Sequence, residues 1–120
     1  IRIFDPAQIH YYQPGWTMVG GGLIEPKKVM STNFEMIPRG VQWTMNKVAE
    51  IDADKNELRT DNDVRYSYDQ LIVATGIENH YEAIKGMRDA LEDVNCPVGT
   101  IYHHSYTQKW RDIMNQFKGG

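Results

Sequence analysis

Cysteine is almost missing from this chain: Cys96 is the single one in 120 residues. One thiol makes no internal disulfide, and a lone cysteine is more often a small buried hydrophobe than a reactive group, so the redox compartment stays open. Positive charge is not in excess either. Thirteen Lys and Arg stand against sixteen Asp and Glu, a formal net charge of −3. Without a basic stripe, nucleic acid is not an expected partner. No apolar run approaches the roughly 18 residues that a membrane-crossing helix needs. Internal repeats, low-complexity tracts and charge blocks are absent, and the length corresponds to about one domain. No secretory signal pattern opens the chain, and its first residue is not Met. Ile1-Arg2-Ile3-Phe4 starts inside a strand pattern, and Lys118-Gly119-Gly120 ends on a helix cap. The expectation is a fragment of a longer protein.

What is present is organised around Ser67-Tyr68-Asp69-Gln70-Leu71-Ile72-Val73-Ala74-Thr75-Gly76. The apolar run Leu71 to Ala74 predicts a short strand covered on both faces, closed by Gly76. Thr75 and Gly76 at its C-terminal end let backbone without bulk approach a ligand, and in open α/β sheets ligands sit at that end. Taken alone, the stretch reads first as a core strand closed by a turn glycine.

Ahead of it, Ile1 to Phe4 predict a strand closed by Asp5-Pro6. An acidic residue at such a strand end is where dinucleotide-binding folds hold ribose hydroxyls, although Asp-Pro by itself is a turn signal. An aromatic loop follows from His10 to Trp16. Trp16 to Val19 predict a short helix ended by Gly20-Gly21-Gly22. The triple glycine fits neither G-x-x-x-x-G-K-[ST] nor G-x-G-x-x-G, which leaves a turn or close helix packing. Glu25 to Gly40 read as a polar excursion with a short helix near Asn33 to Met36. Val41 to Thr44 predict a strand. Asn46 to Asp52, Glu57 to Thr60 and Val64 to Ser67 predict an antiparallel meander, turning at Asp54-Lys55-Asn56 and Asp61-Asn62-Asp63. Beyond Gly76 the chain reads as irregular to Asn95, with a short helix around Gly86 to Leu91. Cys96 to Tyr102 read as extended. Ser105 and Gln108 have capping-box spacing at the start of a last helix. Tyr106, Trp110, Ile113, Met114 and Phe117 repeat along that helix as an apolar face expected against a sheet, with Gly119 as its C′ glycine.

In this order, an acidic strand end, an aromatic-proline loop, a polar excursion, a meander and a strand ending Ala-Thr-Gly resemble the FAD-binding domain of two-dinucleotide-binding-domain flavoproteins. Within that superfamily, His10-Tyr11-Tyr12-Gln13-Pro14-Gly15-Trp16-Thr17-Met18-Val19-Gly20-Gly21-Gly22 resembles mitochondrial-type sulfide:quinone oxidoreductases. So do Ile37-Pro38-Arg39-Gly40-Val41-Gln42-Trp43, Tyr68 to Ile77 and Tyr81-Glu82-Ala83-Ile84-Lys85-Gly86. The resemblance runs nearly the whole length and is loosest near Asn33 to Met36 and from Arg88 to Pro97.

The resemblance implies an α/β fold: residues 1–120 as part of a Rossmann-like FAD-binding domain with an inserted antiparallel meander. The glycine-rich strand-helix unit and the C-terminal remainder of that domain would lie outside them. It implies FAD as cofactor. Asp5 would accept hydrogen bonds from the adenosine ribose, and Gln13 would lie in a loop that touches the cofactor. Val48 would meet adenine through its backbone amide and carbonyl, and Thr75 and Gly76 would line the cofactor. The implied chemistry is attack of hydrogen sulfide on a cysteine disulfide, leaving a persulfide. The other thiolate then passes two electrons through FAD to ubiquinone, and a small thiophilic acceptor, glutathione or sulfite, takes the sulfane sulfur. No catalytic residue falls within the chain. The redox cysteines are expected after Gly120, and Cys96 is not expected to be one of them. No metal site is expected, and His103 and His104 read as polar residues ahead of a helix. The implied location is the mitochondrial inner membrane, reached through segments outside these residues. A type II NADH:quinone oxidoreductase shares the FAD domain and the Ala-Thr-Gly strand. A non-catalytic interaction domain on a degenerate FAD fold is the rival of another kind.

Overall fold

The computed structural model describes residues 1–119. Its elements run β1 (Arg2–Phe4), β2 (Ile9–Tyr11), α1 (Trp16–Gly20), β3 (Met30–Thr32), α2 (Asn33–Met36), β4 (Gln42–Thr44), β5 (Val48–Asp52), β6 (Glu57–Thr60), β7 (Arg65–Ser67), α3 (Met87–Glu92) and α4 (His104–Gln116). The mixture of strands and helices is the α/β composition expected. Residues fall into two units, Ile1–His10 with Ser31–Gly76, and Tyr11–Met30 with the chain from Ile77 onward.

In the first unit β1 and β4 pair in parallel, with Arg2 opposite Gln42, Ile3 opposite Trp43 and Phe4 opposite Thr44. The meander β5-β6-β7 is antiparallel, as its turn chemistry predicts. Both turns contain a left-handed residue, Asn56 at φ 54° and Asp63 at φ 62°. Asn and Asp tolerate that region because a short polar side chain bonds locally. Along β6 burial alternates, so that Leu58 and Thr60 face inward while Glu57 and Arg59 are only half-buried. Phe4 meets Tyr66 edge-on at 4.9 Å, and the Arg2 guanidinium lies 4.7 Å over the same ring. These contacts tie β1 to β7. The helix α2 starts on a capping box: Thr32 Oγ1 accepts from the Glu35 N–H while the Glu35 carboxylate accepts from the Thr32 N–H.

Leu71 to Ala74 correct the sequence reading. No strand forms there, and Ile72 and Val73 are 90% and 62% exposed. Apolar, β-branched residues give a segment strand propensity, but a strand exists only when another backbone satisfies its N–H and C=O groups. Among the described residues none does. Cys96 to Tyr102 likewise form no strand.

In the second unit Trp16, Val19 and Val29 form the buried core, with Tyr11 and Ile24 against it. The triple glycine supplies both packing and turn. A Cβ on Gly20 would sit 2.5 Å from Ile101 Cγ2 and 3.0 Å from Trp110 Cδ1, and Gly22 turns the chain at φ 73°. Among the described residues α4 packs chiefly on α1 and not across a sheet, with Trp110 seated against Gly20 and Gly99. Tyr106, Trp110 and Ile113 are half-buried, whereas Met114 and Phe117 at the end of the stripe are exposed. The expected Ser105–Gln108 box does not form. His103 is the N-cap, its Nδ1 accepting from the Ser105 N–H at 3.3 Å, so Ser105 already lies inside the helix. The helix ends at Gln116 with Phe117 as C-cap, which leaves the left-handed Gly119 one position beyond C′. Gly120 lies outside the described residues. Lys109 on α4 closes the end of α3: its ammonium donates to the carbonyls of Ala90 at 2.6 Å, Leu91 at 3.2 Å and Asp93 at 2.7 Å. No described helix is long and apolar enough to cross a membrane.

Candidate functional site

Asp5 follows β1 directly, and the chain around it is fixed from several sides. Its N–H donates to the Thr44 carbonyl at 3.1 Å, and its own carbonyl accepts from Trp43 Nε1 at 2.9 Å. The side chain is held as firmly. Oδ1 accepts from the Ala7 N–H at 2.8 Å and Oδ2 from Asn33 Nδ2 at 3.1 Å. An ionised carboxylate offers about four lone-pair sites, so two stay open to hydroxyl donors.

Val48 opens β5, an edge strand of the meander. It stands opposite Thr60, and the register slips between Val48 and Glu50. Thr60 spends both backbone groups elsewhere: its N–H donates to the Val64 carbonyl at 3.0 Å and its carbonyl accepts from the Asp63 N–H at 3.0 Å. In an antiparallel ladder the N–H and C=O of one residue point to the same side. The Val48–Thr60 pair is therefore not hydrogen-bonded, and the Val48 N–H and C=O point away from β6. A planar ring with one donor and one acceptor on its edge can use both. The register irregularity beside it locally disrupts the ladder.

Thr75 and Gly76 are exposed at the end of the unpaired segment, Gly76 at φ 74°. A Cβ on Gly76 would meet nothing within 4 Å, so the glycine serves the backbone conformation and not a local packing contact. Asp5, Val48, Thr75 and Gly76 belong to the first unit, on three separate stretches of chain, and Gln13 belongs to the second. Among the described residues no hydrogen bond joins any two of the five.

Gln13 begins a short 3-10 turn, Gln13–Gly15. Its Nε2 donates to the Tyr102 carbonyl at 3.1 Å, the same oxygen that accepts from Asn79 Nδ2 at 3.1 Å. Three residues on, the Trp16 Nε1 is buried without a hydrogen-bond partner among the described residues. Gly15 has no room for a side chain, since a Cβ there would lie 2.2 Å from Val29 Cγ1.

Sequence reasoning missed the supports of these residues: Asn33 and Trp43 behind Asp5, and Tyr102 and Asn79 behind Gln13. The Thr32-x-x-Glu35 spacing was a usable signal for the first, because it fixes where α2 begins and hence where Asn33 stands. For Tyr102 no signal exists, because a main-chain carbonyl is the same in every residue.

The histidines stack. The His104 ring lies 4.1 Å from Tyr11 at 12° between planes, and His103 lies 4.5 Å from His104. Partial burial, and after it the neighbouring His103, lowers the His104 pKa. Glu25 is paired with Arg111 at 3.0 Å, and that guanidinium lowers its carboxyl pKa. Cys96 is half-buried and free. Among the described residues no group of His, Cys, Asp and Glu is placed to hold a metal ion.

Comparison with known proteins places the chain in a family. The chain is 37% identical over 120 residues to the mitochondrial sulfide:quinone oxidoreductase of Mus musculus, all of this chain and 26% of that protein. It is 35% identical to the mitochondrial sulfide:quinone oxidoreductases of Dictyostelium discoideum and Schizosaccharomyces pombe, again over 26% of each. The chain thus spans about a quarter of the length of the curated relatives it matches. Among solved structures, the sulfide:quinone oxidoreductase of the hyperthermophilic bacterium Aquifex aeolicus superposes with a TM-score of 0.76 at 16% identity, over 97% of this chain and 25% of that one. A chain of the Tetrahymena thermophila mitochondrial ATP synthase F1Fo tetramer also gives 0.76, at 21% identity, over 99% of this chain and 30% of that one. At such identities the likeness is one of fold. The profile of the pyridine nucleotide-disulphide oxidoreductase family matches residues 1–109. The chain belongs to the pyridine nucleotide-disulphide oxidoreductase family.

Proposed function

We propose that these residues are part of the FAD-binding domain of a sulfide:quinone oxidoreductase of the mitochondrial inner membrane. Family membership makes the parent protein a flavin-type oxidoreductase. The choice of sulfide and quinone is carried by one observation: identity of 35–37% over the whole chain to three enzymes of that name.

The chain's own residues fit the adenosine half of FAD. Asp5, held by Ala7 and Asn33, keeps acceptor capacity for the two ribose hydroxyls. The outward N–H and C=O of Val48 match the acceptor and donor on an adenine edge. Thr75 and Gly76 line the cofactor with backbone that carries little bulk, and the cofactor role of Gln13 rests on the family resemblance alone. When bound, FAD supplies the two-electron relay between a thiolate and ubiquinone. The cysteine pair that meets hydrogen sulfide lies outside these residues, since Cys96 is the single cysteine here. Glutathione or sulfite is the acceptor of the sulfane sulfur.

Anaerobic titration of the purified full-length protein separates the readings. Sulfide bleaches the flavin band and added ubiquinone restores it if the assignment is right. Bleaching by NADH and not by sulfide would make it a type II NADH:quinone oxidoreductase. A second reading, a non-catalytic interaction domain on a degenerate FAD fold, is favoured by the occurrence of this fold within an ATP synthase assembly. Full-length protein with no flavin absorbance would select it.

A further inference from the structure

We propose that Asn33 is a positioning residue for the cofactor, setting the rotamer of Asp5 so that its open lone pairs meet the ribose. The proposal rests on the ribose-binding reading of Asp5. Asn33 is a polar side chain only 7% exposed, and both Nδ2 protons are used: one goes to Asp5 Oδ2 at 3.1 Å, the other to the Ala7 carbonyl at 2.7 Å. Both partners are acceptors, so the opposite amide orientation would set oxygen against two oxygens, and the assignment of Nδ2 is fixed. The donor is also neutral. A Lys or Arg in its place would pair with the carboxylate outright, whereas an amide orients it and leaves its charge for hydroxyl donors. The backbone of α2 carries Asn33 to this place. The Thr32–Glu35 capping box fixes the first turn, and the Asn33 N–H donates to the Gln8 carbonyl at 2.9 Å. Ala7 is bonded on both sides of this cluster, through its N–H to Asp5 and its carbonyl to Asn33, so the loop after β1 and the start of α2 lock together.

The test is binding of FAD and of FMN, which lacks the adenosine, to full-length apoprotein, followed by quenching of flavin fluorescence. Asn33→Leu raises the FAD Kd by about tenfold or more, the weight of one charge-assisted hydrogen bond, and leaves the FMN Kd unchanged. An equal loss for both flavins assigns Asn33 to the fold alone and overturns the proposal. Asn33→Asp covers the case in which the leucine variant does not fold. Two facing carboxylates repel when both are charged, and a proton shared between them at lower pH restores the bond. Its FAD affinity relative to the parent protein therefore recovers as pH falls, and a flat ratio contradicts the proposal. Asp5→Asn separates the two ideas. Unchanged FAD affinity there overturns the ribose reading itself, while weakened affinity beside an unaffected Asn33→Leu overturns only the positioning role.

Discussion

A carboxylate at a strand end recognises two hydroxyls reproducibly only when its own rotamer is settled, and at Asp5 neighbouring donors settle it. Loss of its charge in Asp5→Asn removes a charge-assisted acceptor worth about 1.5–3 kcal/mol, so the FAD Kd of full-length protein rises roughly tenfold to a hundredfold. Equilibrium dialysis of apoprotein with FAD measures it. Lys109 is the other residue whose chemistry decides something, here stability. Its ammonium caps the carbonyls of Ala90, Leu91 and Asp93, where the dipole of α3 also favours positive charge. Lys109→Met keeps the aliphatic stem and loses about 1–3 kcal/mol, read as faster hydrogen exchange in α3 and a lower urea midpoint. The place of Asp5 at a strand end was legible, because Asp-Pro closes the apolar run Ile1 to Phe4. Lys109 was not, since its partners are carbonyls that every residue carries and α3 lies 16 to 19 positions away.

The helices and strands were legible where local chemistry decided them. Asp and Asn at both meander turns and the glycines after α1 each impose a backbone conformation, and the structure follows them. The capping of α4 was misread because Ser-x-x-Gln matches a box by spacing, while an imidazole two residues earlier reached the same N–H first. Its packing was misread because the apolar stripe says which face is covered and not by what. The small size of Gly20 lets α1 approach Trp110 of α4, and Gly99 leaves room for the same indole on the segment before α4. Gly20→Ala gains up to about 1 kcal/mol of helix propensity but forces a Cβ against Ile101 and Trp110, an overpacking cost of ~1–3 kcal/mol. The expected outcome is a net loss, seen as a lower midpoint in urea unfolding. At the start of α4, His104 has a pKa lowered below its ordinary 6.5. The unfolded chain then binds its proton first as pH falls, so stability is full above pH 6.5 and declines as pH drops through the lower folded value. Thermal melts at pH 7.5 and 5.5 check the sign, and His104→Phe, which keeps the stack on Tyr11, removes this part of the pH dependence.

Considered as a whole, the chain spans about a quarter of the length of its curated relatives, and one stretch of it departs from what its composition predicts. Leu71 to Ala74 carry the composition of a covered strand, yet Ile72 is 90% exposed because no described residue lies beside or over it. Composition reports the environment a segment is selected for, and only the neighbours supply that environment. The same holds for the cofactor reading, in which Asp5 and Val48 offer complementary groups that a nucleotide would join. An experimental structure of the full-length protein with its flavin tests this most directly. The expected result is ribose oxygens within about 2.6–3.2 Å of the Asp5 carboxylate and an adenine edge on the Val48 backbone. Adenosine bound elsewhere, with Asp5 and Val48 left facing solvent, would contradict it.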